Sequence, residues 1–308
     1  MRIFVTGGTG FIGARLIPEL LAAGDEVVLL VRPAEQDREV PGGDRVRVVV
    51  GESTQEGSWW DAVRDCDAAV NLAGYPVFSR WTPKVKVLLR ESRLATTRHL
   101  VAAIPPGKPF TLVSASGIGL FGDAGERVLE EEAPPGTDFL ARLAADWEAA
   151  AFAARDRGAR VATTRFGMVL GHDGGALPEL VKNARRFLNG PLGSGRQWMP
   201  WIHREDVVRG IQFLLRGAGL EGPFNFVAPN PVRQLEFARA LGKLLGRPAI
   251  LPAPAFALRL VLGEFGRVSL FSQNARPANL LEAGFTFAFP DLEPALQDIL
   301  PQFAKAPR

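Results

Sequence analysis

The 308-residue chain is poor in the residues that build disulfides, metal clusters and phenol-based chemistry. It has one cysteine, Cys66, one tyrosine, Tyr75, and only three histidines. A single cysteine excludes an intrachain disulfide and a cysteine-rich metal site. We therefore expect no bound metal, and we expect a reducing, cytoplasmic location.

Long apolar runs and blocks of like charge are also missing. No stretch approaches the roughly 18 apolar residues that a membrane-spanning helix needs, and the N-terminus lacks the apolar core of a signal peptide. The net charge of +3 is spread along the chain and forms no basic run. These absences argue against a membrane protein and against a nucleic-acid-binding protein. The expected partner is a small-molecule substrate, bound by a monomer or a homodimer.

The first half of the chain alternates short apolar runs with helical patterns. This alternation predicts an α/β fold, a Rossmann-type doubly wound parallel sheet with crossover helices. Most of the predicted strands are continuously apolar, as strands buried on both faces must be. They cover residues 2–6, 26–31, 46–50, 68–72, 110–114 and 160–165.

The helix between the first two predicted strands contains a local contradiction. Apolar residues from Leu16 to Leu21 form one stripe, and Gly24 is placed to end the helix in a left-handed cap. Pro18 lies beyond the first turn, where it removes a backbone hydrogen bond. It predicts a kink or a later helix start.

The second half of the chain has a different organisation, richer in glycine, proline and aromatic residues. We predict a dinucleotide-binding domain over residues 1–170 and a smaller C-terminal substrate domain over 171–308. Residues 201–215 are predicted to form a helix preceded by a loop, and 222–227 a strand, so that the chain returns to the first domain around 201–227. Segment 190–198, with glycines and a proline around Arg196, is predicted to be a mobile cover over the substrate pocket.

A glycine-rich turn follows the first predicted strand and opens a helix, which is the context of a dinucleotide-binding site. Gly7 permits the tight turn, Gly10 lets the backbone approach a pyrophosphate, and Gly13 lets the helix pack closely on the strand. The pyrophosphate then lies at the positive end of the helix dipole. A purely structural turn is the alternative. The predicted cofactor contacts are Thr6, Gly7, Thr9, Gly10, Phe11, Ile12 and Gly13.

Arg32 indicates that the cofactor is NADP(H). It follows the second predicted strand about 20 residues after Gly13, where NAD-binding proteins usually carry an acid for the ribose 2′-hydroxyl. An arginine there pairs with the 2′-phosphate of NADP, and no carboxylate is expected to stand against it. A solvated charge is the alternative. At the end of the fourth strand, small residues let a flat cofactor lie against the backbone, which adds three contacts: Leu72, Ala73 and Gly74.

Further motifs resemble the extended short-chain dehydrogenase/reductase superfamily, of the NAD(P)-dependent epimerase/dehydratase type. They start at Arg90, Ser114, Asp146, Gly190 and Trp201, and residues 250–298 resemble a short extra C-terminal domain of an epimerase-like branch. The resemblance implies a seven-stranded Rossmann domain, a nicotinamide cofactor and a substrate pocket between two domains. It also implies that Arg142 and Gly167 lie beside the cofactor.

The resemblance implies a catalytic Tyr-x-x-x-Lys pair, in which the lysine lowers the pKa of the tyrosine, but this chain lacks it. Tyr75 directly follows the fourth predicted strand and has no lysine four residues on. Depending on the register, the two positions hold either Asp138 and Arg142 or Phe139 and Leu143. Neither pairing supplies a phenol, so the usual proton relay is absent.

Other polar residues remain candidates for the substrate site. Ser114 and Ser116 are placed to orient a substrate oxygen, with a plain strand-end hydrogen bond as the alternative. Arg93 and Arg196 are candidates for receiving an anionic substrate, with solvation or pairing to nearby acids as the alternative. His203 is expected to brace the structure.

Two functions are consistent with these residues. The first is an NADP(H)-dependent oxidoreductase or epimerase-like enzyme that transfers hydride to or from a small molecule. The second is a binding protein that senses NADPH without turnover. The missing tyrosine and lysine favour the sensor, whereas the serines and the second domain favour the enzyme.

Overall fold

A computed structural model describes residues 1–305. The strands are, in chain order, β1 (Arg2–Thr6), β2 (Glu26–Val31), β3 (Val46–Val50), β4 (Ala68–Asn71), β5 (Phe110–Gly117), β6 (Val128–Leu129), β7 (Ala159–Phe166), β8 (Met168–Leu170), β9 (Trp198–Met199), β10 (Trp201–His203), β11 (Gly222–Phe226), β12 (Val232–Arg233) and β13 (Asn274–Ala275).

The helices are α1 (Gly13–Ala22), α2 (Trp59–Arg64), α3 (Pro83–Ala103), α4 (Phe139–Phe152), α5 (Leu177–Arg185), α6 (Arg204–Arg216), α7 (Gln234–Leu245), α8 (Ala255–Leu262), α9 (Glu264–Val268), α10 (Ala278–Glu282), α11 (Leu292–Ile299) and α12 (Gln302–Lys305). Within the described part of the chain, no helix combines the length and the apolar composition that crossing a bilayer requires.

Seven strands form one parallel sheet in the order β11-β7-β5-β4-β1-β2-β3. Ile3 of β1 lies between Val27 of β2 and Ala68 of β4, so the strand order reverses beside β1. In open α/β sheets, ligands bind at the carboxyl ends of the strands next to such a reversal. The sheet confirms the predicted Rossmann-type fold, and it directs attention to the ends of β1, β2, β4 and β5.

Both faces of the sheet are buried, which explains why its strands are apolar along their length. On β1, Ile3 and Val5 pack in a core with α1 and α6, whereas Phe4 packs in the opposite core with α2 and α3. The alternation of side chains across a strand puts neighbouring residues into different cores. The predicted strands lie where the sheet has them, although β5 and β7 extend further, to Gly117 and Phe166.

Helix α1 begins at Gly13 and continues through Pro18, so the prediction of a later start is wrong. Proline has a helical φ, and one missing hydrogen bond is outweighed by the burial of the apolar stripe. The predicted cap at Gly24 is confirmed. The N–H of Gly24 donates to Leu21 O at 3.2 Å and that of Asp25 to Leu20 O at 3.0 Å, a Schellman motif.

The segment 201–215 is not a helix preceded by a loop, because its first three residues form β10, parallel to β8. Trp201 and Ile202 are buried in two different cores, as the alternation of a strand requires. The helix α6 begins only at Arg204, where His203 Nδ1 accepts a hydrogen bond from the N–H of Glu205 at 3.1 Å. Strand β11 then joins the main sheet beside β7; the domain boundaries themselves stay a prediction.

The C-terminal segment contributes to the core under the main sheet. Leu280, Phe285 and Phe287 pack in the same core as α1 and α6. Asp206 of α6 is fully buried, and its carboxylate accepts hydrogen bonds from the N–H groups of Ala288 at 2.7 Å and Phe289 at 2.9 Å. These bonds fix the segment to α6.

Candidate cofactor and substrate site

The glycine turn lies directly against the chain that leaves β4. Gly7 has a φ of 69°, and a Cβ there would lie 2.7 Å from the carbonyl carbon of Leu72. A Cβ on Gly13 would lie 2.4 Å from the Cα of Gly8. Glycine is therefore required at both positions, for the turn and for the close contact of helix and turn.

The N-terminus of α1 offers backbone donors to a ligand. Within residues 1–305 the N–H groups of Phe11 and Ile12 donate no hydrogen bond, and the first turn of the helix holds no acidic residue. Thr9 and Gly10 lie within the turn, which is closed by a hydrogen bond from the N–H of Gly10 to Gly7 O at 3.0 Å. Free N–H groups and the helix dipole together favour an anion here.

Two predicted contacts in this turn need correction at the level of their side chains. The Thr6 hydroxyl is buried and donates to Asn71 Oδ1 at 2.7 Å, so it is not available to a ligand. The ring of Phe11 packs against the loop after β8, where a Cβ on Gly174 would lie 2.5 Å from Phe11 Cδ2. Phe11 therefore has only its backbone to offer a ligand, and Thr6 serves to hold β1 against β4.

Arg32 lies at the carboxyl end of β2 with its side chain 60% exposed, but it is not free of carboxylates. Its Nη2 is 2.8 Å from Glu35 Oε1, and Arg38 Nη1 is 2.8 Å from the same oxygen. Arg32 and Arg38 hold the pKa of Glu35 below its usual range. The expectation that no carboxylate stands against Arg32 is wrong, because the short 3₁₀ turn Pro33–Glu35 brings Glu35 back beside it.

The residues after β4 connect the glycine turn to Arg93. Leu72 donates its N–H to Thr6 O at 3.1 Å, which holds this segment against β1. A Cβ on Gly74 would lie 3.2 Å from Arg93 Cζ, so the arginine packs against the Gly74 backbone. Gly167, the other predicted glycine contact, is half-buried after β7 and donates to Phe226 O at 3.1 Å.

The face of α4 that meets the end of β5 is made of residues four apart. A methyl group on Gly119 would lie 3.2 Å from Leu140 Cδ1, Ala144 packs with Ile118, and Glu148 binds Ser116. Leu140, Ala144 and Glu148 lie one turn apart on the same side of the helix. In the two turns before Glu148, the side chains that this face presents to the end of β5 are therefore a leucine and an alanine, neither of which titrates.

Neither pair that the sequence suggested lies on this face. Asp138 caps α4, accepting from the N–H of Leu140 at 2.8 Å, and Arg142 is exposed on the far side of the helix. Phe139 packs edge-on against Trp81, and Leu143 lies in the same cluster. The prediction that Arg142 contacts the cofactor is not supported, since the helix turns it towards solvent.

Both candidate serines are committed to buried hydrogen bonds. Ser114 Oγ accepts from Asn71 Nδ2 at 3.2 Å, and Ser116 Oγ donates to Glu148 Oε1 at 2.7 Å. The Glu148 carboxylate is also held by Arg165, through Nε at 2.8 Å and Nη2 at 2.9 Å. The strand-end alternative therefore describes both serines, and neither presents its hydroxyl to a substrate.

Sequence reasoning missed the polar network that fills this region. Asn71 Nδ2 donates to Thr97 Oγ1 at 2.9 Å, and Trp147 Nε1 donates to the same oxygen at 2.9 Å. All three side chains are buried. The available signal was a polar residue, Asn71, at the end of an otherwise apolar strand.

The two candidate substrate arginines lie in different surroundings, and no contact joins them in residues 1–305. Arg93 is buried against Trp147, with its Cζ 5.1 Å from the ring centroid. Arg196 is exposed, and its carbonyl accepts a hydrogen bond from Arg233. Arg233 also binds Glu126, and this contact, with that of Trp198, lowers the pKa of the Glu126 carboxyl to about 2.

The segment 190–198 is held by its neighbours. The N–H of Gly193 donates to Ala253 O at 2.8 Å, that of Leu192 to Gln234 Oε1 at 2.9 Å, and Leu251 donates back to Asn189 O at 3.0 Å. These bonds describe a braced turn, against the predicted mobile cover. His203 stacks on Phe289, with ring centroids 4.0 Å apart, and burial lowers the pKa of its imidazole.

Comparison with known proteins identifies the family. The model of the NAD dependent epimerase/dehydratase family matches residues 3–225, and that of a domain of unknown function, DUF1731, matches residues 253–299. The chloroplastic epimerase family protein SDR39U1 homolog of Arabidopsis thaliana is 39% identical over 305 residues, which cover 97% of this chain and 87% of the relative. The epimerase family protein YfhF of Bacillus subtilis is 35% identical over 304 residues, or 97% and 98% of the two chains.

A solved structure agrees along the whole length. The crystal structure of human epimerase family protein SDR39U1 with NADPH superposes with a TM-score of 0.84 at 33% identity, covering 98% of this chain and 99% of the human one. The fold, the two matched family models and the relatives give the same answer. The chain belongs to the NAD-dependent epimerase/dehydratase family, and within it resembles the SDR39U1-type proteins.

Proposed function

We propose that the protein binds NADP(H) along the carboxyl edge of the sheet. The pyrophosphate is held by the N–H groups of Phe11 and Ile12, and the 2′-phosphate by Arg32. The observation that carries this proposal is the pair of unused N–H groups at the N-terminus of α1, in a turn that a side chain at Gly7 or Gly13 would block. The NADPH in the human relative supports the choice of cofactor.

Binding of the 2′-phosphate requires Arg32 to release Glu35. Glu35 is shared by Arg32 and Arg38, so the three side chains carry one net positive charge. A phosphate monoester carries more negative charge than a carboxylate and has more acceptor oxygens. The 2′-phosphate therefore replaces Glu35 on Arg32, whereas the 2′-hydroxyl of NAD has no charge with which to compete.

Calorimetric titration with NADPH and NADH tests this assignment. We expect the unmodified protein to bind NADPH at least about tenfold more tightly, about 1.4 kcal/mol. Arg32→Gln is expected to remove this preference by weakening NADPH alone, and Glu35→Gln to strengthen NADPH binding a few-fold. Arg64→Gln is the matched control, because Arg64 is an exposed arginine with an i,i+3 acidic partner. Equal dissociation constants in the unmodified protein, or equal effects of Arg32→Gln and Arg64→Gln, would refute it.

We further propose that any reaction is hydride transfer to or from a small molecule, without a proton donated by α4. A bound nicotinamide would supply the hydride in the reduced form and accept it in the oxidised form. Leu140 and Ala144 cannot exchange a proton, and Glu148 is held by Arg165. The proton must then come from water or from the substrate itself, which predicts slow turnover.

The same leucine and alanine favour a second candidate function, a protein that senses NADPH without oxidising it. The two functions are separated by following NADPH absorbance in the presence of small aldehydes, ketones and sugar nucleotides. Steady oxidation that requires the protein supports the enzyme. Firm binding with no oxidation above the rate in buffer supports the sensor. A reducing, cytoplasmic location remains part of the proposal, and it rests on the single cysteine.

A further inference from the structure

Arg93 is a buried cation without an anionic partner. It lies in the middle of α3 with only 8% of its surface exposed. Its one hydrogen bond runs from Nη1 to Leu89 O at 3.1 Å, and in residues 1–305 no carboxylate forms an ion pair with it. Burial lowers the pKa of the guanidinium to about 10, and no neighbouring charge raises it.

The acids on either side of Trp147 in the chain have other partners. Asp146 pairs with Arg90 at 2.7 Å, and Glu148 is held by Arg165. Glu91, on the same helix as Arg93, is exposed. Within residues 1–305 the structure thus gives Arg93 no acidic partner.

Such an arrangement is costly unless something outside the chain compensates it. An isolated charge loses much of its solvation on burial, and one neutral carbonyl restores little of it. The cation–π contact with the Trp147 ring offsets only part of that loss. Because these contacts do not offset the cost of burying the Arg93 charge, we infer that a ligand supplies the anionic partner.

The position of the guanidinium defines where that ligand lies. It packs on the backbone of Gly74, two residues after the Leu72 carbonyl that touches the glycine turn. Leu89, whose carbonyl binds Arg93, packs with Trp81 in an apolar cluster that also includes Phe265. The guanidinium thus lies between Gly74, which follows the strand beside the glycine turn, and the Leu89 end of this apolar cluster, while Nε and Nη2 donate no hydrogen bond to residues 1–305.

We propose that Arg93 binds the carboxylate of an organic acid with an apolar body, held beside the cofactor. The unused Nε and Nη2 form one fork, which matches the two oxygens of a carboxylate. A phosphate dianion would need a second cation, but Arg90 and Arg165 are paired and Arg196 lies elsewhere. The placement beside the cofactor rests on the proposed function; the carboxylate fork rests on Arg93 alone.

Thermal unfolding of the ligand-free protein gives the first test. Arg93→Met keeps the length and packing of the side chain and removes the buried charge. We expect it to raise the unfolding temperature by at least about 2 °C, which is roughly 1 kcal/mol for a chain of this size. Arg98→Met is the matched control on the same helix, because Arg98 is exposed, and it should leave the temperature unchanged. A less stable Arg93→Met protein would show that Arg93 is structural and would overturn the proposal.

Ligand protection gives the second test, with benzoate, benzamide and inorganic phosphate at equal concentration. Benzoate should raise the unfolding temperature of the unmodified and Arg98→Met proteins, and not that of Arg93→Met. Neutral benzamide should have no effect. Equal shifts with benzoate and benzamide contradict an anion site, and a larger shift with phosphate contradicts the carboxylate assignment.

Two further measurements test the carboxylate site if Arg93→Met does not fold and separate it from the cofactor site. Gly74→Ala puts a methyl group 3.2 Å from Arg93 Cζ, so it should reduce the benzoate shift even if Arg93→Met does not fold. NADPH affinity should be the same in Arg93→Met and the unmodified protein; a loss would assign Arg93 to the cofactor. If the unmodified protein does not bind NADPH, the proposed function is refuted. The benzoate experiment then still decides whether Arg93 binds a carboxylate.

Discussion

The carboxyl ends of β1 and β5, on either side of β4, differ in whether their polar groups are free to bind a ligand. At the end of β1, the N–H groups of Phe11 and Ile12 have no acceptor in the described chain. At the end of β5, Ser116, Glu148 and Arg165 bind one another in the interior. The end of β1 therefore leaves donors free for a ligand, whereas the polar groups at the end of β5 are part of the core.

A site made of backbone and a site made of side chains respond differently to substitution. The glycine turn depends on backbone N–H groups and on glycines that larger residues cannot replace. The face of α4 at the end of β5 depends on side chains, and Leu140 and Ala144 keep the helix packed there without offering a group that titrates. A chain can therefore keep the first and lose the second without losing its fold.

Gly13→Val, at the glycine turn after β1, should have the largest effect, a loss of NADPH affinity. Its side chain would meet the Cα of Gly8, so α1 must move away from the turn. We expect NADPH affinity to fall at least about 100-fold, or about 2.7 kcal/mol, measured by calorimetry. Ala22→Val, at the exposed end of the same helix, should change it little. Binding within threefold of the unmodified protein would mean that the turn does not hold the pyrophosphate.

Ser116→Ala tests the network at the end of β5, because a structural role of Ser116 and a role in the reaction predict different results. The substitution removes a buried hydrogen bond to Glu148, which keeps both bonds to Arg165. We expect the free energy of unfolding to fall by about 1 kcal/mol in urea titration, with any NADPH oxidation unchanged. If stability is unaltered and oxidation is lost, Ser116 belongs to the chemistry.

Tyr75→Phe should have the smallest effect. The Tyr75 ring is 38% exposed, and its backbone N–H, not its hydroxyl, makes the bond to Ser92 Oγ at 2.9 Å. Any turnover of carbonyl substrates should therefore persist in the variant, as followed by NADPH absorbance. Turnover that disappears while NADPH affinity and thermal stability stay constant would make Tyr75 the proton donor.

The sequence predicted the fold well where the signal was local and apolar. Strands buried on both faces and a glycine turn between a strand and a helix leave clear patterns. Residues 201–203 were predicted wrongly because a three-residue strand is too short to show its alternation. The contact of Glu35 with Arg32 was not predicted, because it depends on a 3₁₀ turn that brings the two residues together after the strand has ended.

The candidate site was less predictable because it depends on which way side chains point. A one-residue ambiguity in α4 suggested two pairs, whereas the residues of α4 that face the end of β5 are Leu140 and Ala144. The buried state of Arg93 depends on Gly74 and Trp147, which lie 19 and 54 residues away in the chain. No local pattern records such contacts.

The bonds from Asp206 to the backbone of Ala288 and Phe289 have a consequence for how the chain acquires its structure. Asp206 is buried in α6, and its two partners emerge from the ribosome some 80 residues later. Contacts of such long sequence separation close slowly, because loop closure precedes the gain from packing. The N-terminal strands can pair during synthesis, but until the C-terminal segment arrives the Asp206 carboxylate has only Arg209 of the same helix as a partner and this side of α6 stays uncovered. A nascent chain stalled before residue 288 should therefore be sensitive to protease around α6, although the glycine turn and its sheet strands are already complete.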